Sequence, residues 1–293
     1  MKKDAQRYTV EAAGALLPFL LEHGKGSRNN IKSLLSRRQV AVDGRVETRF
    51  DLALRPGQTV EVLPPRAQRG PSLPFPILYE DGEILVVDKP AGLLTIATDR
   101  EKQKTAYHLC TDYVRGREAG GRIFVVHRLD RDTSGVVLFA KKEQAKRAYQ
   151  EGWETLVHRR GYAAVVEGVP GEPEGTVRSW LRETSTHLVY SSGYGGGGKE
   201  AVTRYRLRCA QEPYALLDVE LDTGRKNQIR VHMQDLGHPV AGDKKYGART
   251  NPLKRLCLHA GVLAVADPAT GEERVFTAPE PAAFARLCGA ARR

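Results

Sequence analysis

Val126-His127-Arg128-Leu129-Asp130-Arg131-Asp132-Thr133-Ser134-Gly135 runs directly into Val136-Val137-Leu138-Phe139-Ala140-Lys141. A polar segment with two carboxylates and two flanking arginines gives way to an unbroken apolar run. Such a run, bounded by Ser-Gly and Lys, reads as a buried strand. The loop before it offers Asp130 and Asp132 as candidate catalytic carboxylates. On residue chemistry alone, an ion-paired turn that pins the strand is the plainer reading of this loop, and catalysis is the alternative.

Comparable strand-like runs lie around it at Ile84–Val87, Tyr162–Val166 and Leu216–Leu221. Helices are expected over about 142–157 and 225–236. The second places Ile229, Met233 and Leu236 at i, i+4, i+7 and stops at Gly237. Strands with sparse helices and no regular βαβ rhythm predict an α+β catalytic domain over 77–290, built on a mixed, mainly antiparallel sheet.

Upstream, residues 8–63 form a smaller α/β block. Ile31, Leu34 and Leu35 recur at helical spacing, and Arg37-Arg38 follow as cations suited to a helix C-terminus. Val40-Ala41-Val42 and Arg45-Val46 flank Asp43-Gly44, a strong two-residue hairpin signal, and Thr59–Val62 alternates like a further strand. Residues 1–74 carry 13 Lys and Arg against 7 Asp and Glu, so more than half of the net charge of +11 sits in a quarter of the chain. Five prolines between 64 and 76 mark a linker.

The 293 residues suffice for two domains, and 41% apolar content excludes a disordered chain. The apolar run Ala12–Leu21 is too short to span a bilayer, contains Pro18 and lacks a small-x-small cleavage site. It reads as a buried helix, with no membrane association and a cytoplasmic location expected. Cys110, Cys209, Cys257 and Cys288 lie far apart with no CxxC pair, which excludes a disulfide framework or zinc site and suits reduced thiols. The basic excess suits a polyanion such as nucleic acid, a solvated basic face being the plain alternative. Gly193–Lys199 approaches a phosphate-binding GxxxxGK loop. Glu200 stands where Ser or Thr must ligate magnesium, however, and Ala201–Tyr205 reads as a strand where a helix is required. A nucleotide hydrolase is thereby disfavoured, and Gly195–Gly198 reads as a loop.

Taken together, the motifs resemble those of the RluA-type pseudouridine synthases, where HRLD followed by a TSG or TTG turn carries the essential aspartate. Ile77–Asp81 and Val87-Asp88-Lys89-Pro90-Ala91-Gly92 resemble the opening strand and KPxG turn. Arg160-Gly161-Tyr162 resembles the K-x-Y strand, with Arg for Lys. Thr223–His232 resembles TGRTHQIRVH with Lys226-Asn227 as a departure, and Gly242-Asp243, Tyr246-Gly247 and Arg255–Ala260 follow in order. The likeness spans roughly 77–280. Residues 8–63 resemble the small RNA-binding module of the S-four ribosomal-protein type, on Ser27-Arg28 to Arg38 and the Asp43-Gly44 hairpin.

The resemblance implies an enzyme that isomerises uridine within structured RNA, ribosomal or transfer RNA, without cofactor or metal. It also implies no obligatory protein partner, and a monomer is the simplest expectation. Asp130 is implied as the essential catalytic carboxylate, acting as nucleophile at sugar or base, or as a base at the sugar; Asp132 is expected only to brace the turn. Tyr162 is implied to pack against the flipped uracil and serve late proton transfers, and Arg230 to pair with Asp130. Arg128 is expected to enter the space of the displaced base or to contact phosphate, and His127 to be a structural hydrogen-bonding residue. Arg225, Arg28, Lys32, Arg37 and Arg38 complete the expected RNA contacts. Two rivals are a catalytically silent RNA-binding factor on the same scaffold, against which the intact Asp130, Tyr162 and Arg230 argue, and a nucleotide-using RNA enzyme, against which Glu200 argues.

Overall fold

The computed structural model describes residues 6–23, 27–36, 39–63, 72–98, 101–118, 120–193 and 197–289. Arg37, Arg38, part of the Pro-rich stretch and residues 194–196 of the Gly-rich loop lie outside these. The chain divides into two units, Met1–Arg69 and Gly70–Arg293.

In the first unit the elements are β1 (Gln6–Thr9), β2 (Gly14–Ala15), α1 (Leu16–His23), α2 (Arg28–Ser36), β3 (Val40–Val42), β4 (Arg45–Val46), β5 (Ala53–Leu54) and β6 (Thr59–Val62). The apolar run at 12–21 is therefore not one helix: Gly14-Ala15 pair with Ala53-Leu54, and the helix begins only at Leu16. Pro18 sits in its first turn, where its missing N–H leaves no bond unmade. Leu16, Leu17, Leu20, Ile31 and Leu35 close over Val40, Val42 and Val60 of the sheet β1-β6-β3-β4. The hairpin turn has positive φ at both Asp43 and Gly44, the type I′ geometry that matches strand twist.

The second unit comprises β7 (Ile77–Glu80), β8 (Ile84–Lys89), α3 (Ala106–Arg115), β9 (Phe124–Val125), β10 (Ser134–Ala140), α4 (Glu143–Glu151), α5 (Trp153–Leu156), β11 (Val157–Glu167), β12 (Glu174–Glu183), β13 (Val189–Ser192), β14 (Lys199–Gln211), β15 (Tyr214–Leu221), α6 (Gln228–Asp235), β16 (Leu258–Ala266), β17 (Glu273–Thr277) and α7 (Ala282–Leu287), with a single 3-10 turn at Lys244–Tyr246. Its eleven-stranded sheet runs β13-β12-β14-β15-β11-β16-β10-β8-β7, with β17 beside β16 and β9 beside β10. Among the described strands β10 and β16 alone pair in parallel, so the fold is α+β with a mixed, mainly antiparallel sheet. The helix expected over 142–157 is two, broken at Gly152, and the chain is already a strand at Val157. The helix expected from 225 begins at Gln228, because Asn227 is left-handed (φ 55°).

Every residue of β10 is buried. Gly135 at its start has φ 118°, and a Cβ there would lie 2.1 Å from the Ala260 carbonyl oxygen, so the parallel approach to β16 requires glycine. Ala260 is level with Gly135 on one side and with Tyr162 of β11 on the other. That register brings the Asp130 loop, which enters β10, beside Tyr162.

Candidate active site

Asp130, Tyr162 and Arg230 line one cleft of about 390 Å3, together with Arg128, Thr133, Leu221, Arg225, Asn227 and Leu258. Three elements supply the three residues: the loop before β10, the middle of β11, and the first turn of α6.

The peptide carrying Asp130 is held on both sides. Thr95 Oγ1 donates to the Leu129 carbonyl (2.7 Å) and accepts from the Leu129 N–H (3.2 Å). On the far side, Lys89 Nζ donates to the Arg131 carbonyl (3.0 Å) and to those of Pro90 and Leu93 (3.1 and 2.7 Å). Lys89 is fully buried, has no carboxylate in contact among the described residues, and burial brings its ammonium down to about 8, against the pull of Asp132 and Asp130. Buried, hydrogen-bonded ammonium of this kind fixes backbone more than it supplies charge. Asp132 pairs with its neighbour Arg131 (3.3 Å) at the surface. His127 accepts from the Leu138 N–H through Nε2 (3.0 Å) and packs against Trp153; burial, with Arg160 nearby, takes it down to about 4. It ties loop to strand as a neutral ring.

Arg230 faces two carboxylates. Its Nη1 lies 3.6 Å from Asp130 Oδ2, while Nε and Nη2 grip both oxygens of Asp243 at 2.6 and 2.8 Å. Asp243 is 1% exposed at its side chain. Burial alone would lower the guanidinium, but the Asp243 hydrogen bonds and charge outweigh it and hold Arg230 above its ordinary value. Nη1 also donates to Asn227 Oδ1 (3.0 Å), Asn227 Nδ2 donates to Tyr246 Oη (3.0 Å), and the Tyr246 ring lies 4.8 Å from the guanidinium. Asn227 tolerates the left-handed backbone it adopts there better than most residues. The Lys226-Asn227 departure therefore keeps a side-chain link to Arg230.

Tyr162 packs between two core clusters and is only partly buried. Burial pushes its phenol up to about 12, Asp130 adding to the effect against Arg160, so the ring presents a neutral hydroxyl and an aromatic face. Arg160, in the place of a lysine, donates to the Asp222 carbonyl (2.7 Å) and lies against Gly224, where a Cβ would come within 2.7 Å of Nη1. Buried Gln228 accepts from the Arg225 N–H and from Thr223 Oγ1, which hangs the turn before α6 over the cleft. Arg128 and Arg225 are exposed at its rim, whereas Arg28 and Lys32 are exposed on α2 of the other unit, Lys32 lying over the Phe50 ring at 5.8 Å.

With this geometry in view, the family model for RNA pseudouridylate synthase matches residues 83–235. The chain belongs to the RNA pseudouridine synthase family. It is 36% identical over 214 residues to the uncharacterized RNA pseudouridine synthase YhcT of Bacillus subtilis, covering 72% of this chain and 70% of that one. It is 33% identical over 287 residues to ribosomal large subunit pseudouridine synthase D of Xanthomonas campestris, covering 91% and 85%. Among solved structures, the human RNA pseudouridylate synthase domain containing 1 matches with a TM-score of 0.58 at 27% identity, over 74% of this chain and 88% of that one.

Membership in the pseudouridine synthase family makes the chain an RNA-modifying isomerase. The supports of the cleft were the part that motif reading left without roles. Lys89, Gln228, Asp243 and Tyr246 stood inside family-like blocks, but Thr95 carried no more signal than its polarity at a position that turns out buried. The four cysteines are free, three of them buried. Among the described residues no helix is long and apolar enough to cross a membrane.

Proposed function

We propose that the protein converts specific uridines of structured RNA to pseudouridine with Asp130 as the essential carboxylate. Ribosomal RNA is the favoured substrate class, because two relatives are named as ribosomal large subunit enzymes; transfer RNA is the alternative. The enzyme works in the cytoplasm as a monomer without an obligatory protein partner. The first unit serves as an S-four-type RNA-binding module, and the likeness to the Xanthomonas enzyme, over 91% of the chain, extends into it.

The target base leaves its stack at a cost of a few kcal/mol. Stacking on Tyr162 offsets about 1–3 kcal/mol of that. Arg128, at the rim, takes the vacated space or a phosphate. Asp130 then acts at the sugar–base junction, the glycosidic bond from the sugar to nitrogen 1 breaks, the uracil turns, and its carbon 5 bonds to the sugar carbon; carbon 5 gives up its proton to solvent and nitrogen 1 takes one up. Substrate and product are isomers, so the chemistry calls for no redox partner or external group. One carboxylate is enough, where hydrolytic glycosidases pair two to activate water.

The observation that carries this reading is the placement of Asp130 3.6 Å from an arginine that Asp243 holds from behind, in a cleft walled by Tyr162. The test is tritium release from RNA labelled at carbon 5 of uridine, using unmodified ribosomal and transfer RNA. Wild type releases tritium; Asp130→Asn binds the RNA and releases none. Turnover retained in Asp130→Asn refutes the role of Asp130, and no release by wild type favours the silent RNA-binding factor.

A further inference from the structure

A second groove, with about 1030 Å3 of empty space, adjoins the cleft and shares Arg225 with it. It opens between the end of β12, the start of β14 and the turn before α6. Arg182, Lys199, Arg225 and Lys226 supply its charge, with Glu183 as the opposing carboxylate.

How these cations are partnered separates them from their neighbours. Along the same strands Arg178 pairs with Glu200 (2.8 Å), Arg204 with Asp222 (2.8 Å), Arg206 with Asp218 (3.7 Å) and Arg208 with Glu280 (2.6 Å). Lys226 pairs with Glu183, whose second partner is His187 (2.8 Å). Among the described residues Arg182 and Lys199 have no carboxylate partner. Arg225 gives its Nε to the Glu200 carbonyl (2.9 Å) and has none either. A fold that neutralises the arginines on one stretch of sheet leaves three cations unneutralised around one open groove. Their mutual repulsion is relieved when an anion enters.

Resting on the reading above, we propose that this groove carries the phosphodiester backbone of the RNA beside the target uridine, with Arg182 and Lys199 as phosphate-contacting residues. The shared Arg225 makes the path continuous: a nucleotide whose base occupies the cleft directs its neighbour's phosphates past Arg225 into the groove. This also gives a place to the Gly-rich stretch ending in Lys199. Lys199 begins a strand and has no helix N-terminus behind it, so it meets a polyanion as a point charge and does not cradle a nucleotide.

The test uses the full chain, with Arg182→Gln/Lys199→Gln and its two single variants beside wild type, and Arg206→Gln, which removes one charge as each single variant does, as a control outside the groove. Affinity for an unmodified ribosomal RNA transcript is measured across a salt series, with initial rates of tritium release. Losing two phosphate contacts lowers the slope of log affinity against log salt by about 1.4 for single-stranded contacts. Extrapolated from 1 M salt, that is roughly 25-fold weaker binding at 0.1 M. KM rises by more than kcat falls, and each single variant gives about half of the slope change, which serves if the double variant folds poorly. Arg206→Gln behaves as wild type. If wild type turns over RNA while the groove variants keep its slope and KM, the groove assignment is overturned and the family reading stands. No turnover by wild type overturns both. Saturable binding of free ATP by wild type, lost in the double variant, reassigns the cations to a nucleotide and also overturns the proposal.

Discussion

Replacing Asp243 by Asn keeps shape and removes one charge from behind Arg230. In the folded protein Asp243 takes two hydrogen bonds from the guanidinium, at 2.6 and 2.8 Å, with its side chain 1% and that of Arg230 13% exposed. Breaking such a buried pair by removing one partner costs about 3–5 kcal/mol, because the remaining charge stays desolvated. Here the low end applies, since Arg230 retains Asn227 and gains a closer approach to Asp130. About 3 kcal/mol in a domain of this size corresponds to a fall in melting temperature of about 6–12 °C. Activity falls for a separate reason: freed from Asp243, the guanidinium closes on the Asp130 carboxylate and ties it away from the sugar. Misplacement of that kind costs on the order of 10–100-fold in rate. Thermal unfolding followed by calorimetry reads the first effect, and single-turnover tritium release at saturating RNA reads the second. An Asp243→Asn protein that melts within 2 °C of wild type and keeps its single-turnover rate would show that Asp243 neither supports nor aims Arg230.

Asn227→Ala removes both links of its carboxamide and places Ala in a left-handed backbone, so kcat drops several-fold with little change in KM; Asn227→His, which suits the same backbone, recovers part of the loss. Full return of Asn227→His to the wild-type kcat would refute a link through the carboxamide, because only the backbone would then matter. Stability depends on pH through His127 and His232, both taken down to about 4 chiefly by burial, against 6.5 when unfolded. The unfolded chain therefore binds the extra protons, stability is full above about pH 6.5, and it is lost as pH falls from there toward 4. The urea midpoint is lower at pH 5.5 than at 7.5, and equal midpoints at the two values would contradict neutral buried imidazoles.

What was legible in the sequence followed from local pattern. The β10 run, the Asp43-Gly44 turn and the strands at 84–87, 162–166 and 216–221 declare themselves through apolar continuity and turn chemistry. α3 carries an equally local signal: Thr105 caps it, and Ala106, Cys110, Tyr113 and Val114 bury one face at i, i+4, i+7, i+8. The break at Gly152 was not legible, because Ala145, Tyr149, Trp153 and Leu156 continue a helical period straight through it. Val157 pairs with Val265 of β16, so the helical stretch ends before it. The motif blocks named Asp130, Tyr162 and Arg230 as members of one site; the register at Ala260 shows why Asp130 and Tyr162, far apart in sequence, come together, while Arg230 arrives on α6. The clamp on Arg230 was out of reach, since nothing in the spacing of residues 230 and 243 encodes a contact made through an intervening loop.

The site divides its tasks between two kinds of support. Thr95 and Lys89 act on the backbone at Leu129 and Arg131, so the position of the Asp130 Cα is set without any contact to its carboxylate. Asp243, Asn227 and Tyr246 act on Arg230, and among the described residues only Arg230 forms an ion pair with the carboxylate. The separation has a chemical logic. A carboxylate bonded directly to its supports would spend its lone pairs on them, whereas Asp130 keeps a single arginine at 3.6 Å, longer than a hydrogen bond, and remains 30% exposed toward the cleft. The fixed loop sets where the carboxylate sits, the held arginine sets which way it faces, and its oxygens stay open toward the cleft, as the role proposed for Asp130 requires.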